Sequence, residues 1–448
     1  MASWSNWAGN QAAQGVEVQR PRQVEQLAEL VAAAARKGRR VKVLGSGHSF
    51  TPIGRPEDLA VELSQMAGIY TCDRGAQVAT VGAGTTLRRL NELLAGAGLA
   101  MTNLGDIDSQ TLGGALATGT HGTGSTFGGL STQVLALEMV TPEGEVVSCS
   151  AAERPELFSA ARVGLGALGI VTQVSLRLVP LFALRAEECP MPLDELLDRF
   201  DELNATYDHF EAYWFPHTRR TLTKRNTRLP LPEHLDRLAR WREWVDDELL
   251  ANALFGAVVG AGRRLPKLVP ASNALAARAV GSRTFTDVSY RVFTSPRRVR
   301  FKEMELALPR EAAVSALKEL VRALESSDLK VGFPVEIRVA AADDIPLSSA
   351  SGRQSVYFAF HVPAKSDHEP YFTLMAQVLD PYGYRPHWGK LHSLGAAELR
   401  GRYPRFEEFV RLRDELDPSG VFSNPYLAKV LGAPPRDHGT GDDEASSC

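Results

Sequence analysis

The chain is poor in cysteine. It has four in 448 residues, Cys72, Cys149, Cys189 and Cys448, and no CxxC pair. That spacing speaks against a zinc site, a redox pair and a disulfide framework. Neither sign of charge is in excess. Lys and Arg total 50 against 53 Asp and Glu, a formal net charge of −3, so no basic surface for nucleic acid is expected. Long apolar runs are missing as well: no stretch reaches the roughly 18 residues that a membrane helix needs. The most apolar helix-like region, 251–280, is interrupted by Arg263 and Arg264 and reads as a packed or surface helix. The amino end, MASWSNWAGNQ, lacks the basic-then-apolar layout of a signal peptide. No repeat recurs at a fixed period. The expectation is a cytoplasmic protein with no stable membrane insertion and no resident metal. The sequence carries no signal for an oligomeric state.

Hydrophobic residues make up 44% and charged residues 23%, enough for two or three domains with a large core. The first third alternates short strands and helices. A strand at 16–18 precedes a helix after Pro21, with Val24, Leu27, Leu30, Val31 and Ala34 on one face. A strand at 41–44 follows, then a hairpin over 69–81 around Asp73-Arg74-Gly75 and a helix at 86–97. Beyond a glycine- and threonine-rich stretch at 103–129, strands are predicted at 134–140, 145–148 and within 166–178. After Pro180 the composition shifts. Helices are predicted at 193–203 and 232–254, and strands near 210–215, 288–292, 302–307, 335–339 and 356–361, an α+β pattern.

Residues 44–51 read LGSGHSFT, which places His48 in a glycine loop after a strand. A dinucleotide loop of the G-x-G-x-x-G kind would need a third glycine where Phe50 stands, and a helix where Pro52 and Gly54 follow. A metal histidine would need ligands at short spacing, and His48 has none in the loop; His387 and His392 are five apart and do not share a helix face. A third reading accounts for more. A second glycine stretch, TLGGALATGTHGTG at 111–124, also carries a histidine. Two such loops let backbone approach an anionic cofactor from two sides. Tight turns alone would explain one loop but explain two less well.

Four motifs, GSGHSF (45–50), GGALATGTHGTG (113–124), EIR (336–338) and HWGK (387–390), resemble those of vanillyl-alcohol-oxidase-type flavoproteins of the aldonolactone and alditol oxidase branch. The likeness runs from Trp4 to Leu427. It implies a two-subdomain FAD-binding domain of the p-cresol-methylhydroxylase type at 14–180. A substrate (cap) domain with a mainly antiparallel sheet would follow at 181–400. Residues 401–432 would return to the FAD domain, and 433–448 read as a disordered tail. The overall fold class is α+β.

The resemblance further implies that FAD is attached covalently through His48. Gly45, Ser46, Gly47, Ser49, Gly105, Asp106, Thr111, Gly114, Thr118, Gly119, His121, Gly122, Ile170 and Val171 match cofactor-contacting positions. Glu336, Arg338 and Lys390 match catalytic positions, and Glu336, His361, His387 and Lys390 substrate-binding ones. Alditol oxidase has serine at the position of Asp106, which tilts the expected substrate from an open-chain polyol toward a sugar lactone. Glycine at the position of Gly105 is permissive for molecular oxygen, so hydrogen peroxide is the expected second product, another electron acceptor being the alternative. The residues agree with this chemistry. Glu336 and Arg338 lie two apart on a strand and point to one face. Carbinol oxidation needs a positioned hydroxyl, a route for its proton, and cations near the charge on the reduced flavin. A surface ion pair is the plain alternative for EIR. A nicotinamide-dependent reductase or a non-catalytic flavin binder fits EIR and HWGK less well.

Overall fold

The computed structural model describes residues 2–238, 266–295 and 299–435. Two small sheets come first. β1 (Ala2–Ser5), β2 (Ala12–Gln19), β3 (Val41–Leu44) and β4 (Leu59–Glu62) lie in the order β1-β2-β4-β3. β2, β4 and β3 are parallel, which requires a crossover between them, and the helix Val24–Arg36 supplies one. It buries Leu27, Val31 and Ala34, the face that the apolar spacing predicts, and begins at Val24 rather than directly after Pro21. The second sheet takes β5 (Ile69–Asp73), β6 (Val78–Gly82) and, after the short β7 (Leu99–Ala100), β8 (Val134–Val140), β9 (Val146–Ser150) and β10 (Ile170–Arg177). Its order is β5-β6-β10-β8-β9, antiparallel throughout. A two-residue strand, β11 (Val179–Pro180), pairs with β7 as the chain leaves this half.

One large sheet dominates the remainder. It holds β12 (Phe182–Pro192), β13 (His209–Trp214), β14 (Arg220–Pro230), β15 (Arg283–Val288), β16 (Phe301–Pro309), β17 (Val335–Ala340), β18 (Ser355–Pro363) and β19 (Arg385–Pro386). Among the described residues its order is β15-β12-β14-β13-β17-β18-β16-β19, antiparallel throughout. Its two faces differ because side chains alternate along each strand. Val335, Ile337 and Val339 of β17, Met304, Leu306 and Leu308 of β16, and Phe358 and Phe360 of β18 share a core with the helices Leu193–Thr206, Ala313–Glu325 and Glu369–Leu379. The other face carries Glu303, Glu305, Glu336, Arg338 and His361.

Two sequence expectations fail here. The strand predicted at 288–292 is instead the end of β15 followed by the helix Ser289–Phe293. Val288, Tyr290 and Val292 mimic a period of two, but the buried pair is Ser289 and Phe293, four apart as on a helix face. The helix predicted at 232–254 is absent over 232–238, and the rest of that span lies outside the described residues. The long strands β12 and β14 were not anticipated.

The carboxyl end comes back to the first sheet. The Val41 amide donates to Val421 O (2.8 Å), and Asn424 Nδ2 donates to Pro52 O (3.0 Å). Val421 and Phe422 pack with Leu27, Val31 and Val41. The predicted tail falls outside the described residues from 436 onward. Among the described residues, no helix is long and apolar enough to cross a membrane.

Candidate active site

A cavity of about 380 Å³ runs between the two glycine loops. Gly45, Ser46, Gly47, His48 and Ser49 line one wall, Thr111, Gly114 and Thr118 another, and Ile170 and Val171 a third. The glycines are needed there. A Cβ on Gly45 would come within 2.8 Å of Thr111 Oγ1, and one on Gly114 within 2.9 Å of the same atom. Gly47 has a φ of +70°, which lets the loop turn back toward Asn6 and Trp7. A lysine also lines the cavity. Lys42, inside β3, is buried and donates to Phe422 O (2.8 Å). Burial pushes its ammonium down to about 7. Bare backbone and hydroxyls form walls that fit a long, anionic dinucleotide such as FAD.

His48 stands where this cavity meets a smaller one of about 70 Å³. Its Nε2 lies 2.7 Å from Ser109 Oγ, and its ring stacks on Trp7 (centroids 5.5 Å apart). Burial and then Lys390 push its pKa down to about 4, so the ring is neutral at pH 7. The loop is tied to the HWGK turn, some 340 residues away in sequence. The Phe50 amide donates to Gly389 O (2.7 Å), and Thr51 Oγ1 to Trp388 O (2.9 Å).

The small cavity gathers the residues of EIR and HWGK. Glu336 and Arg338 of β17 point into it, as their spacing predicts; Glu336 is buried and the Arg338 side chain only 11% exposed, so the surface-pair alternative fails. Arg338 bonds Glu336, Asp106 Oδ2 (3.0 Å) and Glu211 Oε2 (3.0 Å). Burial opposes its charge, but Asp106, Glu336 and Glu211 hold it well above the ordinary guanidinium range. The carboxylates of Asp106, Glu211 and Glu336 lie within 4.8 Å of one another. Cations already counter them: Arg338 touches all three, and Lys224 reaches Glu211 (3.0 Å). Tyr213 donates to Glu336 Oε1 (2.8 Å). Burial and then Glu211 and Glu336 push that phenol well up, so it stays a donor.

Lys390 pairs with Glu303 of β16 and lies 5.3 Å from the centre of the Phe50 ring. His387 accepts the Gly389 amide at Nδ1 (3.1 Å), which leaves its proton on Nε2, and burial pushes its pKa down to about 3. His121 Nδ1 faces Gly122 O (2.9 Å) and must donate, while Nε2 faces Glu305 Oε1 (2.9 Å). A second proton therefore lies between ring and carboxylate. Burial raises the Glu305 pKa, but His121 and then His387 and Lys390 outweigh it and hold Glu305 well below the carboxylate range. His361, opposite Glu303 in the β16–β18 pairing, completes the wall.

The pattern of the D-arabinono-1,4-lactone oxidase family matches residues 174–430, and that of the FAD binding domain family matches 17–150. The chain belongs to the D-arabinono-1,4-lactone oxidase family. It is an FAD-dependent oxidoreductase. It is 39% identical over 432 residues to an L-gulono-1,4-lactone dehydrogenase of Mycobacterium tuberculosis, covering 96% of this chain and 99% of that one. It is 33% identical over 440 residues to an L-gulonolactone oxidase of Bos taurus (96% and 98%). It is 31% identical over 435 residues to an alditol oxidase of a Streptomyces species (95% and 98%). Among solved structures, cholesterol oxidase from B. sterolicum matches with a TM-score of 0.80 over 96% of each chain at 18% identity, a likeness of fold alone.

Most sequence-derived candidates of this family member converge. Gly45, Ser46, Gly47, His48, Ser49, Thr111, Gly114, Thr118, Ile170 and Val171 line the long cavity. Gly105, Asp106, His121, Glu336, Arg338, His361, His387 and Lys390 line the small one. Gly119 and Gly122 line neither. Gly119 takes a φ of +74°, and a Cβ on Gly122 would come within 2.2 Å of Leu104 O, so both serve the loop's own packing. Sequence reasoning missed Glu303, Glu305, Glu211, Tyr213, Lys224 and Lys42.

Proposed function

We propose that this enzyme oxidises the C2 carbinol of an aldono-1,4-lactone of the L-gulono-1,4-lactone type to a ketone, which enolises to an ascorbate-like product. FAD is held along the 380 Å³ cavity by the domain at 14–180, against which 401–432 packs through Val421 and Phe422, and the domain at 181–400 holds the substrate. Bound FAD supplies the two-electron acceptor for the hydride leaving the carbinol carbon. The chain supplies everything else. Glu336, paired with Arg338 and oriented by Tyr213, accepts hydrogen bonds from substrate hydroxyls. His387 donates from Nε2. Arg338 and Lys390 set positive charge beside the reacting oxygen.

The observation that carries this reading is the convergence of EIR and HWGK on one small polar cavity that opens beside His48. Asp106 favours a lactone over an alditol: its carboxylate is one of three that hold Arg338, and a serine there would remove one of those charges and leave a hydroxyl to meet a polyol. His48 is the covalent attachment point. Ser109 occupies its Nε2, which leaves Nδ1 as the nucleophile, and a neutral ring is the reactive form. Oxygen is reduced to hydrogen peroxide in the second half-reaction. The free thiols of Cys72, Cys149 and Cys189 suit the reducing cytoplasm. The test is anaerobic mixing of purified yellow protein with a panel of aldonolactones, alditols and other sugar alcohols. Bleaching by L-gulono-1,4-lactone well ahead of xylitol and sorbitol is expected. Faster bleaching by an alditol would overturn the lactone assignment.

A further inference from the structure

Glu305 of β16 takes no part in the chemistry above, yet it lines the same small cavity as Glu336. Strand register sets the two in one row. Glu336 on β17 stands opposite Ala359 of β18, and Glu305 on β16 stands opposite the same Ala359 from the other flank. Residues directly opposite one another share a face of the sheet. The two glutamates are therefore two strand spacings apart, about 10 Å between Cα atoms. The residue between them is alanine, whose methyl is too short to reach up between the carboxylates.

Glu305 is an anchored acceptor. Its Oε1 meets Nε2 of His121, which comes from the glycine stretch of the cofactor half (2.9 Å). That ring is fixed in turn. Its Nδ1 donates to Gly122 O (2.9 Å), and its face stacks on Tyr357 (centroids 3.7 Å apart). Burial opposes a charge on Glu305, but His121 and then His387 and Lys390 hold its pKa well below the carboxylate range. Among the described residues, His121 is the one side chain bonded to Glu305. A carboxylate has about four acceptor sites, so sites remain on the cavity wall.

Resting on the proposed function, we propose that Glu305 is a specificity-determining residue, which accepts a hydrogen bond from the C5 or C6 hydroxyl of the lactone side chain while Glu336 serves the reacting end. The spacing supports this division. Neighbouring hydroxyls of one ring can share the two oxygens of a single carboxylate. Two carboxylates separated by a whole strand suit hydroxyls at opposite ends of one molecule. The site therefore takes lactones that carry a hydroxylated side chain and binds truncated ones weakly.

The holoenzyme is mixed anaerobically with L-gulono-1,4-lactone and with its 5-deoxy and 6-deoxy analogues. The dependence of reduction rate on concentration gives a dissociation constant and a limiting rate for each. In the parent, one of the two analogues should bind about 10–100-fold more weakly than the full lactone, the worth of a hydrogen bond to a charged group. Its limiting rate should change less, because the contact is remote from the reacting carbon. Glu305→Leu removes every acceptor, and should bind the full lactone and that analogue alike. Glu305→Gln keeps one oxygen, its amide nitrogen donating to His121 Nε2, which then gives up its second proton. It should fall between the parent and Glu305→Leu, with the parent's flavin content and spectrum. If Glu305→Leu fails to fold, Glu305→Gln carries the test, and its preference for the full lactone must fall below the parent's. A parent that binds all three lactones equally would overturn the inference. So would variants that weaken all three by one factor, since Glu305 would then be only a strut between the two halves. Both results leave the proposed function standing. A parent that no lactone or alditol bleaches would overturn the proposed function, and this inference with it.

Discussion

Lys390→Met keeps the length of the side chain and removes its charge. Two separable losses follow. Lys390 is bonded to Glu303, whose side chain is only 6% exposed, so the substitution leaves a buried carboxylate without its partner. Breaking a buried pair from one side costs about 3–5 kcal/mol of stability. Contact with Phe50 goes too, a further loss of up to about 1 kcal/mol. The second loss is catalytic. Removing a preorganised charge from a developing anion costs about 10²–10³ in rate, roughly 3–4 kcal/mol. The double variant Lys390→Met/Glu303→Gln separates them, since a neutral amide no longer needs the ammonium. Thermal unfolding should show the single variant destabilised and the double variant largely restored. Rapid anaerobic mixing with lactone should show both slowed by the full factor, while Glu303→Gln alone loses less than about tenfold. A double variant that regains the parent's reduction rate would refute the reasoning, because Lys390 would then be only the counter-ion of Glu303. So would a single variant that loses under about fivefold, or ~1 kcal/mol on the rate scale.

Acid-precipitated parent should stay yellow and yield a flavin peptide containing His48, whereas His48→Ala should release any FAD it binds into the supernatant. Parent flavin found wholly in the supernatant would refute covalent attachment. Reduced parent should reoxidise in air with formation of hydrogen peroxide, and Gly105→Ala should slow this in stopped flow more than it slows reduction by lactone. A Cβ on Gly105 would meet His121 O at 3.0 Å, so the comparison needs equal flavin content in both proteins. Stability should fall with acid. His209 is buried and neutral, its pKa pushed down to about 4 by burial. A depressed histidine contributes in full above its unfolded value of 6.5, and that contribution is lost as pH falls from there through about 4. Chemical unfolding across this window should show a slope smaller by about 1.4 kcal/mol per pH unit in His209→Phe, and an unchanged slope would contradict a neutral His209.

The cofactor half was legible because its signals are local. The loop 45–50 carries its own strand, glycines and histidine in one short segment, and β3 falls at Val41–Leu44 as predicted. EIR was legible for the same reason: two residues apart on a strand share a face whatever the sheet around them. What stayed hidden depends on which face of the large sheet is buried. In FKEMELALP, Glu303 and Glu305 alternate with Met304 and Leu306, the pattern of a strand with one solvated face. The structure buries both faces, helices against one and the cofactor half against the other, so the glutamates line a cavity instead of meeting water. Glu211 and Tyr213 in HFEAYW were missed the same way.

One sequence signal distinguishes such strands from solvated ones. A solvated face tolerates any polar residue, yet β13, β16 and β17 each place glutamate on the non-core face: Glu211, Glu303 with Glu305, and Glu336. Carboxylates gathered on one covered face of a sheet raise one another's energy. They are tolerable only where cations sit among them, and those cations come from distant positions: Lys224 on β14, Arg338 on β17 and Lys390 on the HWGK turn. The coincidence of glutamate-bearing strands with isolated cations on their neighbours is therefore evidence of a shared buried site. It becomes readable only once the strand order β14-β13-β17-β18-β16 is known.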